Sequence, residues 1–258
     1  MVPNSENEKL VLKSQSTHEE ASSAPEVVRT SIVPPQWRDA WKSVPCLCDK
    51  ITEEFDYDDD MFINFVSNLL ASRADEAPLK VFSLYSPGSE EASSWIRYAI
   101  DHSVESLEFT DAEEEIEPFI LDTGIINFGS SHLKSLSLSN VSLAAIHISQ
   151  LNDHCPKLHI LKLEESHLET FQISSSSLTS LCIEHCTTPG DMLICAPKLT
   201  SLSFIDSGIG VVSLEKLPSL AEASVILHFN IVDPYETTRE AVEHDYEYTI
   251  YTSKHFSC

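Results

Sequence analysis

Glycine is scarce in this sequence, with 6 in 258 residues. Loops that wrap phosphate groups draw on glycine, because only a residue without a Cβ lets the backbone approach that closely. Neither G-x-G-x-x-G nor a P-loop occurs, and H-E-x-x-H and G-x-S-x-G are missing as well. Without a nucleophile and base in a known motif, the chain reads as a protein with no chemistry and no cofactor of its own. Basic residues are the second shortage: 16 Lys and Arg stand against 41 Asp and Glu, a formal net charge of −25. Such a field repels nucleic-acid phosphates and anionic lipid heads, so neither nucleic acid nor membrane is expected as a partner. A basic protein face suits it better; the charge also serves simple solubility. A third absence is a long apolar run, since none approaches the roughly 18 residues of a membrane span. The opening MVPNSENEKLVLKSQSTHEE has no apolar signal core. The expected location is cytoplasm or nucleus. There the 7 cysteines stay reduced, and the sequon at Asn140 carries no sugar.

Metal sites are equally unsupported. Asp56-x-Asp58-x-Asp60 starts like a calcium loop, but the sixth place needs Gly and the twelfth Glu, and these are Met61 and Ser67. Cys46-x-Cys48 has no second ligand pair at zinc spacing. His154 with Cys155 and His185 with Cys186 read as packing or surface groups, and the acidic run Asp111 to Glu117 as a solvated loop.

What the sequence does contain is a repeat. An L-x-x-L-x-L pattern recurs at Leu79, Val104, Leu133, Leu158, Leu178, Leu199 and, fading, Leu220; these starts lie 25, 29, 25, 20, 21 and 21 residues apart. Such spacings are those of leucine-rich repeats, of about 20–29 residues. A strand alternates its faces, so the fourth and sixth places point one way and stack on the next copy. Proline or serine precedes several copies, as in Cys155-Pro156-Lys157-Leu158 and Ser176-Ser177-Leu178, marking a turn into the strand. The ninth place holds Ser166, Cys186 and Ser207, with Val141 in one copy; there a side chain can bond the turn backbone, which gives Cys186 a structural role. The expected fold is α/β: a leucine-rich-repeat solenoid, an irregular horseshoe with a parallel concave sheet and a helical N-terminal cap. The longer early copies have room for helices. Trp95, Ile96, Ala99 and Ile100 share one helical face, and Leu143, Ile146 and Leu151 suit a shorter helix. The later returns LETFQI and DMLICA read as extended.

By the same alternation the third, fifth and seventh places face outward on the concave side. They are Ser135, Ser137 and Ser139; Ile160, Lys162 and Glu164; Ser180, Cys182 and Glu184; Ser201, Ser203 and Ile205. Ser137, Lys162, Glu164, Cys182, Glu184 and Ser203 are the candidate contacts for a target protein, the alternative being solvated strand residues.

Outside the repeats, residues 1–25 are polar and aperiodic and read as a disordered arm. Trp37 and Trp41, four apart, share a helical face within 26–45. Residues 46–78 read as an acidic linker and a capping helix, with Phe62, Phe65, Val66, Leu69 and Leu70 at helical spacing and Asp60 as its N-cap. The repeats occupy 79–229, and 230–258 reads as an irregular tail.

From VVRTSIVPPQWRDAWKSVP through the acidic stretch, FINFVSNLL, SWIRYAI and the repeats, the chain resembles plant F-box/leucine-rich-repeat proteins, especially those of grasses. The resemblance covers about residues 26–229. It implies a substrate-recruiting subunit of an SCF ubiquitin ligase, with the remnant at 26–45 docking on the Skp adaptor through Val27, Val28, Ile32, Trp37 and Trp41. The family's apolar first F-box helix has no counterpart before Val27, where SQSTHEEASSA stands, and Pro34-Pro35 falls where the family has helix. An FBD domain, found after the repeats in some relatives, is not recognisable here. These departures leave open a repeat-based binder uncoupled from any ligase.

Overall fold

The computed structural model describes residues 45–50, 59–73, 77–87, 89–112, 117–169, 172–205, 212–230 and 243–250. The polar arm, Val27, Val28, Ile32, Trp37, Trp41, Asp56, Asp58, Ser207 and the core of the acidic run, 113–116, lie outside them. In chain order the strands and helices are β1 (Cys46–Lys50), α1 (Asp59–Ala71), β2 (Val81–Ser86), α2 (Glu90–Asp101), β3 (Ser106–Asp111) and β4 (Phe119–Ile120). Next come β5 (Ser135–Ser139), β6 (Val141–Leu143), α3 (Ala145–His154), β7 (Ile160–Glu164), β8 (His167–Leu168) and β9 (Gln172–Ser174). The last are β10 (Ser180–Glu184), β11 (Met192–Cys195), β12 (Ser201–Ile205), β13 (Val212–Glu215), β14 (Glu222–Asn230) and β15 (Glu243–Ile250).

Among the described residues the protein is mixed α/β, with strands that are mostly parallel. The large sheet runs β1-β2-β3-β5-β7-β10-β12-β14-β15, and its members pair in parallel up to β14. Successive copies of the L-x-x-L-x-L pattern are neighbours in exact step: Leu107, Leu136, Leu161, Leu181, Leu202 and Ala223 form one row, and Phe109, Leu138, Leu163, Ile183, Phe204 and Val225 another. Apart from half-buried Val225 these side chains are buried, as are the leading Leu79, Val104, Leu133, Leu158, Leu178 and Leu199. Alternation within the strands thus builds one apolar layer from short segments that could not bury it singly.

Backbone hydrogen bonds fix the step between copies. The carbonyl of Lys134 accepts from both His159 N and Ile160 N, that of His159 from Thr179 N and Ser180 N, and that of Thr179 from Thr200 N and Ser201 N. The turns into the strands use two chemistries. In the proline copies the backbone closes the turn, with Leu158 N on Cys155 O at 3.1 Å and Leu199 N on Ala196 O at 2.9 Å. In the serine copies a hydroxyl does it: Ser175 Oγ accepts from Ser177 N and Leu178 N, and Ser130 Oγ from His132 N and Leu133 N. After the strands, Asn140, Glu165 and His185 take φ of 56°, 48° and 52°, a left-handed bend that turns the chain toward the back.

Behind the sheet the two early 25-residue copies and the short late ones divide as their lengths predict, while the 29-residue copy starting at Val104 has no helix among the described residues. The 25-residue copies hold α2 and α3, and the late ones β9, β11 and β13, which form a parallel three-stranded sheet in the order β13-β11-β9; β4, β6 and β8 form a second. Ser89 caps α2 by accepting from Ala92 N at 3.1 Å, with Glu90 and Glu91 in the first turn, where they complement the helix dipole. Trp95, Ile96, Ala99 and Ile100 are buried, and the Trp95 indole N–H donates to Ser67 of α1 at 3.1 Å. Phe62, Val66 and Leu70 of α1 join the same core.

Four expectations change. The sheet begins before the leucine pattern, because Cys46–Lys50 is a strand in step with β2, and Pro45 O accepts from Lys80 N and Val81 N as the later copies' carbonyls do. Asp49 pairs with Leu84, so a polar residue stands where the pattern has leucine, and the copy escapes a leucine count. Asp60 is not the N-cap of α1, which starts at Asp59. In α3 the inward face is His147, Ile148 and Leu151, while Ile146 is exposed; Leu143 is taken into β6, which shifts the helix phase. Finally, where an irregular tail was expected, β15 pairs antiparallel with β14 from Ala223 opposite Ile250 to Asn230 opposite Glu243.

Asn152 clamps α3 to β9: its Oδ1 accepts from Ser174 N at 2.9 Å, and its Nδ2 donates to Gln172 O at 3.2 Å. Replacing it by alanine strands a backbone donor and acceptor at a sheet edge. Asn152→Ala is therefore expected to lower the unfolding free energy by about 1–2 kcal/mol, measured by urea denaturation; a change within error would show that solvent substitutes for both bonds.

Candidate functional site

The outward face of the large sheet carries the side chains singled out by alternation, and the structure brings them into one network. In register, Ser137 of β5, Lys162 of β7, Cys182 of β10 and Ser203 of β12 form one row across four adjacent strands. Glu164 and Glu184 are cross-strand partners in the next row. All six are half-buried, which is what a pleated strand gives to side chains flanked on both sides.

The Lys162 ammonium lies 2.7 Å from Glu164 Oε1 on its own strand, two residues along. That hydrogen bond to the carboxylate holds the Lys162 pKa above the ordinary lysine value. Glu184 Oε1 accepts from the Cys182 thiol at 3.0 Å and from Ser203 Oγ at 3.2 Å. The Cys182 bond, then hydrogen bonding with Ser203 and the Glu164 carboxyl and last the nearby Lys162 charge, lower the Glu184 pKa against the effect of burial. Burial, followed by the Glu184 carboxylate, pushes the Cys182 thiol up to about 12. A thiol so raised is not a thiolate at neutral pH, so Cys182 offers a hydrogen-bond donor and not a nucleophile. One strand further toward the N-terminus, Glu108 accepts from Ser83 Oγ at 2.8 Å.

Alternation places Ile160 on this face as well, outside the six candidate contacts. Ile160 is 46% exposed and Tyr85 43% exposed, each at an outward place of its strand. An isoleucine in a place where neighbours are serine is the signal that pointed to it; Ile160 has Ser135 on one side and Ser180 on the other. Tyr85 belonged to a copy whose outward places went unread. Ser137 makes no side-chain bond to the cluster; it contributes smallness beside Lys162.

The ninth-place residues face away from this surface and serve the turn. Ser166 Oγ donates to Glu164 O at 2.6 Å and accepts from Val141 N at 3.2 Å, and the Cys186 thiol donates to Leu163 O and Glu184 O, each at 3.4 Å. Burial pushes Cys186 up to about 11, in line with a packing role. Among the described residues no group of three or more His, Cys, Asp or Glu is arranged to hold a metal ion, and no helix is long and apolar enough to cross a membrane.

The chain is similar to plant F-box/FBD/LRR-repeat proteins. Over 247 residues it is 27% identical to one F-box/FBD/LRR-repeat protein of Arabidopsis thaliana, covering 80% of this chain and 54% of the relative. A second such protein of Arabidopsis thaliana is 28% identical over 189 residues, 69% of this chain and 43% of the relative. An FBD-associated F-box protein of the same plant is 24% identical, over 80% of this chain and 52% of the relative. The chain spans about half the length of these relatives. No family model matches the chain, and no solved structure matches it.

Proposed function

We propose that the chain is a leucine-rich-repeat solenoid that recruits a target protein to a ubiquitin ligase of the SCF type and performs no chemistry itself. The observation that carries this reading is the outward sheet face: networked, half-buried and not covered by any element among the described residues, on a chain whose relatives are named for F-box and leucine-rich repeats. In this reading the face is the concave side of the horseshoe, α1 closes the first copies, and Val27, Val28, Ile32, Trp37 and Trp41 meet the Skp adaptor. Ser137, Lys162, Glu164, Cys182, Glu184 and Ser203 contact the target. The protein's contribution is placement, which raises the effective concentration of target lysines near the ligase. The site of action is the cytoplasm or the nucleus.

The test is a pull-down of purified Skp adaptor by the full chain. Retention of adaptor at micromolar concentration, lost in Trp37→Ala/Trp41→Ala, is the expected result. If adaptor is retained only by a chain extended with an apolar F-box helix, the protein is a repeat-based binder uncoupled from any ligase.

A further inference from the structure

We infer that the outward face takes an extended, basic segment of a partner protein, which sets an apolar side chain on Ile160 and a Lys or Arg on the Glu164–Glu184 pair. This rests on the reading of that face as the docking surface and adds what docks there.

The first argument is electrostatic. Glu164 and Glu184 stand directly opposite each other on adjacent parallel strands. Like charges so placed repel. One ammonium, that of Lys162, serves the pair, and it binds Glu164. Glu184 takes two neutral donors, a thiol and a hydroxyl, on a single oxygen, with the Glu164 carboxyl and the more distant Lys162 charge beside it. The pair therefore keeps an excess negative charge that a partner's cation would neutralise. Glu108, held by another neutral donor, extends the same sign two strands away from Lys162. The chain as a whole, at −25, draws the same kind of partner.

The second argument is apolar and independent of charge. Ile160 is nearly half exposed at the other end of the strand that carries Glu164. Its neighbours Ser135 and Ser180 are small enough to leave its sides open to a partner's side chain. An isoleucine left about half exposed by the described residues gains further apolar burial from a partner.

Geometry joins the two. Ile160 and Glu164 are four residues apart on one strand, about 13 Å at the rise of a strand. An extended partner presents an apolar and a basic residue at that distance when they too are four apart. The strip of β5, with serine at Ser135, Ser137 and Ser139, forms a low floor between β3 and β7. Its width is about 10 Å from β3 to β7, which fits an extended chain better than a helix of 10–12 Å diameter.

The experiment selects a displayed library of randomised 12-residue peptides on the full chain, then measures a synthesised winner by fluorescence anisotropy. Winners are expected to carry an apolar residue and a Lys or Arg four apart. Affinity should fall at least tenfold in Ile160→Ser and in Glu164→Gln/Glu184→Gln, and remain within twofold in Glu91→Gln/Glu117→Gln, which removes the same charge elsewhere. Denaturation curves run beside these verify folding. Winners that are acidic or uniformly apolar overturn the basic occupant; if Ser137→Trp still blocks them, the docking surface itself stands. Binding unaffected by Ser137→Trp overturns both. An equal loss in the Glu91/Glu117 pair shows attraction by net charge alone and overturns the inference, as does a selection with no enrichment.

Discussion

Leu138→Ala is expected to lower the unfolding free energy by about 3–4 kcal/mol. Leu138 is fully buried, and its register partners are Phe109 on one side and Leu163 on the other. Removing its branch leaves a cavity between two flanking strands, neither of which can move inward without losing its own step in the ladder. In a stacked array, stability is a sum of terms within copies and between neighbours, so a central defect weakens two interfaces. The comparison is Leu47→Ala on β1, where the side chain is half-buried and β2 is the sole pairing strand among the described residues. Urea denaturation should give Leu47→Ala a clearly smaller shift. It should also give Leu138→Ala a reduced slope if the array separates into two halves. Equal losses at the two positions would mean that the chain unfolds from the β1 end first and that the centre is not the seam.

That arrangement was legible wherever leucine spacing and strand alternation coincide. The fourth and sixth places are buried from Phe82 through Phe204, and the short late returns are extended, because a unit of about 20 residues has no length left for a helix after a strand and two turns. Legibility failed where pairing is set by backbone alone. β1 continues the ladder through Pro45 and keeps Leu47 in the fourth place, but an aspartate stands in the sixth, so the six-residue pattern is too incomplete to announce it. β15 is antiparallel and has no copy of the repeat to match. In α3 the phase depended on where β6 ended, and one residue decides which of Ile146 and His147 turns inward.

The candidate site divides in the same way. Which side chains lie on the outward face follows from a period of two and needed no structure. How they pair does not. Lys162 could have bridged to Glu184 or to Glu108, and it takes Glu164 two residues along its own strand instead. Glu184 then falls to Cys182 and Ser203, and the uncompensated charge appears only once those partners are known. Which of several neighbouring groups on the shared face a charged side chain takes as its partner is what a one-dimensional reading lacks.

His147 is the residue whose replacement should change the pH behaviour most. It was not singled out by the leucine pattern, yet it is fully buried on α3, with the Phe128 ring edge-on at a centroid distance of 5.5 Å. Neither ring nitrogen has a hydrogen-bond partner among the described residues. Burial lowers its pKa below the usual 6.5; the Glu169 and Asp122 carboxylates oppose this but do not outweigh it. The unfolded chain then binds the proton more readily than the folded one. Stability is full above about pH 6.5 and is lost as pH falls from there toward the folded pKa. The limiting slope is about 1.4 kcal/mol per pH unit. His147→Leu keeps an apolar side chain of similar size and removes both unpaired nitrogens. It should raise stability at pH 7.5 by about 1–2 kcal/mol and by more at pH 5.5, flattening the melting temperature between those values. Because Glu169 and Asp122 attract the protonated ring, Glu169→Gln in the parent chain should steepen the acid loss, and in His147→Leu it should change nothing in that window. A parent chain and a His147→Leu variant with the same pH slope would place the proton uptake on another group, and the buried imidazole would then be a packing residue with no part in acid sensitivity.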